Sequence, residues 1–275
     1  MKKVYRILLM LFPLISCQKE VSWNIPVSNL DFIVVDGKIT NVRGSRSLRI
    51  FYPVHQLNET PEPVSGAQVL ISNEDSVWQL NEDSLNHGVY RTGNTFIAVP
   101  GKNYSLFIYF NDRVYSAKAS MVPGAEFREL EYVKNEGNDL YHLDWVANAF
   151  STENPALWEI LMDWSMVPGY EQSDPELCKA RLEFFTLPTL DVSEIFAPEM
   201  QNISFPAGTR ITENRYSVTP DYAAFLRSML LETNWQGGLF NTAPSNALTN
   251  LSAGAKGYFA ACAVTTLYMT VKGKK

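Results

Sequence analysis

The segment YSLFIYFNDRVYSAKA, residues 104–119, constrains the fold more than any other part of the chain. Two runs rich in aromatic and β-branched residues flank Asn111-Asp112, a two-residue connection of the kind that hairpins use. Upstream runs have the same character. Strands are predicted over Phe32–Val35 (closed by the turn pair Asp36-Gly37), Ser47–Tyr52, Ala67–Ile71, Val77–Leu80, Gly88–Arg91 and Phe96–Val99. The last is followed by a Pro100-Gly101 turn. Strands this short, at this spacing, point to a β-sandwich domain over residues 30–122. Fifteen glycines, fifteen prolines and 12% aromatic residues agree with turn-rich β structure.

A second β-rich region is expected over residues 123–275. Strands Phe127–Val133 and Leu140–Ala147 flank a turn at Asn135–Asn138, and Leu157–Trp164 alternates apolar with polar side chains. An irregular stretch is expected from Val167 to Arg215. A helix near residues 220–233 has Thr219 as cap, Pro220 at its first position and Asp221 in its first turn. Tyr222, Phe225, Leu226, Met229 and Leu230 form one apolar stripe on it. A final strand, Gly257–Val271, is rich in alanine. The fold class is therefore mainly β, with one amphipathic helix.

The N-terminus bears on location. MKKVYR is followed by nine residues, Ile7–Ile15, of almost wholly apolar character. That is the layout of a secretory signal, here residues 1–16, and it is too short for a spanning helix, which needs about 20 residues. Leu14-Ile15-Ser16-Cys17 resembles the bacterial lipobox, which implies acylation of the Cys17 thiol and cleavage just before it. One acyl chain binds a membrane only marginally, so a stable anchor needs more than one. Residues 17–29 then form a lipidated tether. Gln18, Lys19 and Glu20 resemble the export signal of surface lipoproteins of Bacteroidetes, with Val21 where a second acid is usual. This implies an outer-membrane lipoprotein facing the cell surface, with the periplasmic face as the alternative.

Removing Lys2, Lys3 and Arg6 leaves 20 basic against 29 acidic side chains, a net charge of −9. No basic stripe is present, so nucleic acid is not an expected partner. Cys178 and Cys262 remain. Cys262, within a run of alanines, reads as a buried thiol, with a disulfide as the alternative. None of His55, His87 and His142 stands in a metal-ligand spacing, and no nucleophile elbow, P-loop or CxxC pair occurs, so no cofactor is expected. His142 and Asp144, with Glu159 and Asp163 on a neighbouring strand, would be the one carboxylate–histidine candidate. Glu171, Asp174 and Glu176 would be the one calcium-loop candidate, without a glycine-centred pattern. Trp78, Trp145, Trp158 and Trp164 read as core. Trp235, beside Gly237-Gly238 at the helix exit, is the candidate exposed contact residue. Asp75-Ser76-Val77 and Asp83-Ser84-Leu85 resemble an O-glycosylation motif of Bacteroidetes.

Two family resemblances follow from longer stretches. PVSGAQVLI, GVYRT and VPGKNYSLFIYFNDRVYSA come in the order seen in the transthyretin-like or carboxypeptidase-regulatory-like β-sandwich, a scaffold with no shared activity. VTPDYAAFLRSMLLETNWQGGLFNTAPSNALTNLSAGAKGYFAACAVTT resembles the C-terminal block of a Bacteroidetes lipoprotein family, domain of unknown function 4249. Tyr222, Pro244-Ser245-Asn246, Asn250, Gly254 and Tyr258-Phe259 carry the match, and FIVVDGKIT fits the family's start. That resemblance implies a non-catalytic accessory subunit of a TonB-dependent outer-membrane receptor. A stand-alone adhesin or glycan-binding module is the alternative, and neither resemblance transfers site residues.

Overall fold

A computed structural model describes residues 31–54, 59–171, 173–189, 203–233 (231–233 by their backbone alone) and 248–273. The expected hairpin is β6 (Asn103–Phe110) and β7 (Arg113–Ser120), paired from Phe110↔Arg113 to Asn103↔Ser120. Asn111 and Asp112 have φ of 48° and 57°. Positive φ at both central residues makes the turn type I′, whose twist matches that of the flanking strands. The period-2 pattern then turns Tyr104, Leu106 and Ile108, with Tyr115 and Ala117, into the core.

The described strands form an 11-stranded sheet in the order β11-β10-β13-β14-β1-β2-β5-β4-β3-β6-β7 and a 3-stranded sheet, β12-β9-β8. The first seven are β1 (Ile33–Thr40), β2 (Ser47–Phe51), β3 (Gln68–Ser72), β4 (Val77–Glu82), β5 (Val89–Arg91), β6 and β7. They curl until β7 meets the chain just before the last strand. Ala117 bridges Leu251, Ser252 N–H donates to Ser116 O (2.8 Å) and Ser116 N–H donates to Ser252 Oγ (3.0 Å). Inside lie Val35, Ile50, Val69, Leu106, Ile108 and Phe259, each no more than 1% exposed. Tyr90, of the GVYRT stretch, is fully buried; its hydroxyl donates to Val64 O (2.7 Å) and accepts from Ala67 N–H (3.0 Å). The buried phenol therefore ties the β2–β3 loop to β5 without an orphaned polar atom.

Two expectations change in this part. β1 does not end at Asp36-Gly37 but runs on to Thr40, because Gly37 occupies a crowded paired position. A Cβ there would lie 2.6 Å from Leu48 Cδ1, its partner on β2. Phe96–Val99 is extended without being a strand. Its backbone bonds go singly to Gly93, Gly44, Thr40, Lys102 and the Tyr104 hydroxyl rather than along a ladder.

The second half contains β8 (Glu131–Lys134), β9 (Leu140–Trp145), β10 (Ala156–Asp163), a 3₁₀ turn (Pro175–Cys178), β11 (Lys179–Thr186), β12 (Phe205–Pro206), β13 (Arg210–Ser217), α1 (Pro220–Thr233) and β14 (Ala255–Thr270). The stretch expected to be irregular thus holds β11 and β13, which flank β10 on its two sides. The helix begins as the sequence indicates: Thr219 Oγ1 accepts from Tyr222 N–H at 3.3 Å and Ala223 N–H donates to Thr219 O at 2.9 Å. Met229 leaves the apolar stripe at 40% exposure, and Ala223 joins it fully buried.

β14 holds the halves together. Its first eight residues pair in parallel with β1, from Ile33↔Ala255 to Thr40↔Cys262, and its last eight pair antiparallel with β13. Ala255, Phe259, Ala261 and Ala263 face the core of the first seven strands. Tyr258, Ala260 and Cys262 face α1, Leu157 and Leu187. Burial on both faces explains the near-continuous apolar run, and alanine lets the helix lie close. From Phe32 onward the chain is one compact unit. Among the described residues the buried apolar side chains form three cores: one from residues 33–121 with Leu251 and β14, and two from residues beyond 129, of which the third includes Tyr258, Ala260 and Cys262 of β14.

Two asparagines extend the pairing of β14 where a backbone partner is missing. Asn41, one residue past β1, accepts from Val264 N–H (2.6 Å) and donates to Val264 O (3.3 Å). On the opposite edge Asn250 accepts from Phe259 N–H (3.0 Å) and donates to Phe259 O (2.8 Å) and Lys118 O (2.9 Å). An amide is required because one group must both donate and accept. Asn250→Asp keeps the shape but turns the donor into an acceptor facing two carbonyls, one of them on fully buried Phe259. A stability loss of about 2 kcal/mol is expected, measured by urea unfolding at pH 7; an unchanged midpoint would refute the assignment.

Candidate binding cleft

One face of the large sheet changes character along β14. Up to Cys262 it is covered by α1, where Tyr222, Phe225 and Tyr258 cluster with ring centroids 4.8–6.0 Å apart. Beyond it the same face of β14 carries Val264, Thr266 and Tyr268, the last 77% exposed. Register sets the neighbours. Tyr216, Asn214 and Thr212 of β13 lie opposite these three, and Lys38 and Thr40 of β1 pair with Ala260 and Cys262. Arg49 of β2 lies opposite Asp36. These side chains, with the loop after β1, line a cleft of about 580 Å³.

Its wall is held by a hydrogen-bonded chain. Thr266 Oγ1 donates to Asn214 Oδ1 (2.7 Å), while Asn214 Nδ2 and the Tyr216 hydroxyl donate to Glu159 Oε2 at 3.1 and 2.9 Å. The other Glu159 oxygen is ion-paired with Arg181 at 2.9 Å. Burial, then the Glu159 charge, pushes the Tyr216 phenol well above its ordinary range, so it stays a neutral donor. The Lys38 ammonium sits 4.2 Å above the Tyr216 ring. Each fixed group shortens the list of rotamers that a ligand would have to freeze.

Charge distinguishes this cleft in an acidic chain. Among the described residues Arg91, Lys102, Arg128, Lys134, Lys179 and Arg181 are ion-paired. Among the described residues Lys38, Arg46 and Arg49 have no carboxylate within 4.0 Å, and neither do Arg43, Lys118, Arg210, Lys256 and Lys272, but the first three share one lining, with Asp36. Arg46 is committed to its own loop, donating to the carbonyls of Val42 and Ser45. Lys38 and Arg49 are left facing the opening. A concave surface with three cations and one carboxylate concentrates positive potential.

The residues singled out in the sequence fall elsewhere. Cys17, Gln18, Lys19, Glu20, Trp235 and His55 lie outside the described residues. His142 contacts Asn135 Oδ1 across the β8–β9 hairpin. The strands flanking β9 are β8 and β12, so Glu159 and Asp163 of β10 are not brought to it. Glu171 accepts from Gly169 N–H, Asp174 caps the 3₁₀ turn and Glu176 pairs with Lys179, so the expected calcium loop spends its carboxylates locally. No group of three or more His, Cys, Asp or Glu side chains placed to hold a metal ion occurs among the described residues. Cys178 and Cys262 are both free and buried, in separate cores; burial pushes the Cys262 thiol up to about 12. Trp158 and Trp164 are buried, while Trp78 and Trp145 are half-buried, Trp78 packed against the first core and Trp145 under the Arg128 guanidinium. Ser76 and Ser84 stand exposed at the β3–β4 and β4–β5 connections. The cleft residues went unnoticed because β13 was not recognised, although the alternation of Asp36, Lys38 and Thr40 was visible.

No curated protein is recognisably similar to the chain. The family model described as a domain of unknown function (DUF4249) matches residues 18–267. That match takes in the cleft lining up to Thr266 and most of the last strand, and the chain belongs to this family.

Proposed function

We propose that this protein is a lipid-anchored outer-membrane lipoprotein, facing the cell surface, that serves a TonB-dependent transporter as a non-catalytic accessory subunit. The observation that carries the reading is where the family match starts. It begins at residue 18, the residue after Cys17, which is where a mature chain cut and acylated at Cys17 would leave its first unmodified residue. A chain tethered there by lipid presents its β domain to whatever passes above the membrane, and an open cleft with preformed polar walls suits capture rather than turnover.

The test is made in the native host. Growth with an alkyne-bearing palmitate should label the wild-type protein, and Cys17→Ala should lose the label and leave the membrane fraction. Crosslinking the tagged wild type should then recover a TonB-dependent β-barrel receptor. Labelling that survives Cys17→Ala overturns the anchor, and recovery of the protein without such a barrel overturns the partnership. The hydroxyl-rich cleft favours one second reading, a glycan-binding surface module acting alone, which the absence of a barrel would select.

A further inference from the structure

We infer that the cleft between β2 and β13 is a binding site for a carboxylate-bearing carbohydrate. The inference names the ligand class for the capturing surface proposed above and rests on that reading of the cleft. Three features of the lining define the chemistry.

The first is unspent positive charge. Lys38 and Arg49 face the opening without an ion pair among the described residues, and a guanidinium receives a carboxylate through two parallel hydrogen bonds. The second is hydroxyl density. Half of the 14 lining residues carry a hydroxyl, among them Ser47 and Thr212. A hydroxyl both donates and accepts, as sugar hydroxyls do, so such a wall can follow a sugar edge without leaving a polar atom unpaired. The third is Tyr268, a residue 77% exposed on β14 beside these groups. An amphipathic ring in that position offers a rigid apolar plate to the C–H face of a pyranose.

An acidic peptide meets the charge but not the rest. Val42 and Val264 are the aliphatic side chains of the lining, and they give no socket for the apolar side chains by which extended peptides are held.

Binding is measured by calorimetry on the full-length protein in detergent, at low and at physiological salt. The probes are tetragalacturonate, 3′-sialyllactose and a hyaluronan tetrasaccharide, each beside a neutral counterpart: methyl-esterified tetragalacturonate, lactose and chitotetraose. At least one acidic probe should bind, its neutral counterpart at least about tenfold more weakly, with affinity falling as salt rises. Arg49→Ala and Tyr268→Ala should each weaken that binding about tenfold. Both positions are exposed, so an unchanged melting temperature is expected and separates lost binding from lost folding. Equal binding of acidic and neutral members, binding insensitive to both substitutions, no binding to any of the three, or equal affinity for hexaglutamate would each overturn the assignment. None of these results depends on a transporter, so the partnership proposed above can fail while the site stands, and the reverse.

Discussion

Gly257→Ala is expected to abolish soluble, folded protein. Gly257 lies in β14 opposite Val35 of β1 with φ of +93°, and a Cβ there would sit 2.1 Å from the Val35 carbonyl oxygen. Neither side can yield. The clash is with backbone, Val35 is fully buried, and the carbonyl belongs to the one parallel pairing among the named strands. The substituted residue would also be held in a conformation that L side chains avoid. A loss of at least about 4 kcal/mol follows, in the class reserved for core strain. Gly101→Ala is the control. Its φ is +84° but nothing lies within 4 Å of its Cβ position, so the expected cost is only about 1 kcal/mol. Soluble yield and thermal melting monitored by circular dichroism decide the matter; a Gly257→Ala protein melting within a few degrees of wild type would refute the close approach.

The contrast between these glycines shows what a sequence holds and what it withholds. Asn111-Asp112 declared its hairpin because the two-residue spacing and the flanking alternation are local properties. The helix did so too, through Thr219, Pro220 and the apolar stripe. In the sequence Gly257 reads only as the first residue of the last strand. Its importance comes from Val35, 222 positions away in the chain, and no local pattern encodes that meeting. Asn250 is similar: its role depends on Phe259 and Lys118 arriving on either side.

β13 fails to announce itself for a different reason. Its buried face carries Ile211, Glu213, Arg215 and Ser217, so the period of two is present while the usual apolar marker of the inward face is absent. Arg215 is 4% exposed, donates to Ser217 Oγ (2.6 Å) and Asn154 O (3.0 Å), and stacks over Trp158. These bonds satisfy the guanidinium without a carboxylate and make burial tolerable. Missing β13 hid the cleft as well, since Asn214 and Tyr216 sit on its other face. What was legible was the β class, the hairpin and the helix. What was hidden was every feature that needs two distant segments to meet.

Glu213 gives the second large effect, and its sign follows from where the proton sits. The side chain is fully buried; Oε2 accepts from Leu130 N–H at 3.3 Å and Oε1 has no partner among the described residues. Burial, with a smaller contribution from Glu129, pushes its carboxyl up to about 7 from an ordinary 4.5. Arg215, two residues along on the same face, is occupied by Ser217 and Asn154 and does not neutralise it. Below pH 4.5 the carboxyl is protonated in both folded and unfolded chains and carries no penalty. Between 4.5 and 7 the unfolded chain gives up the proton while the folded one keeps it, so stability falls as pH rises. Above 7 the folded protein bears the whole cost, about 3 kcal/mol. Glu213→Gln keeps the acceptor for Leu130 and cannot ionise. The variant is expected to match wild type near pH 4 and to exceed it by up to about 3 kcal/mol at pH 8, read from urea midpoints across that range. Parallel curves for the two proteins would mean that the carboxylate finds a partner in the folded state, and that the strand face bearing Glu213 is wetter than its burial indicates.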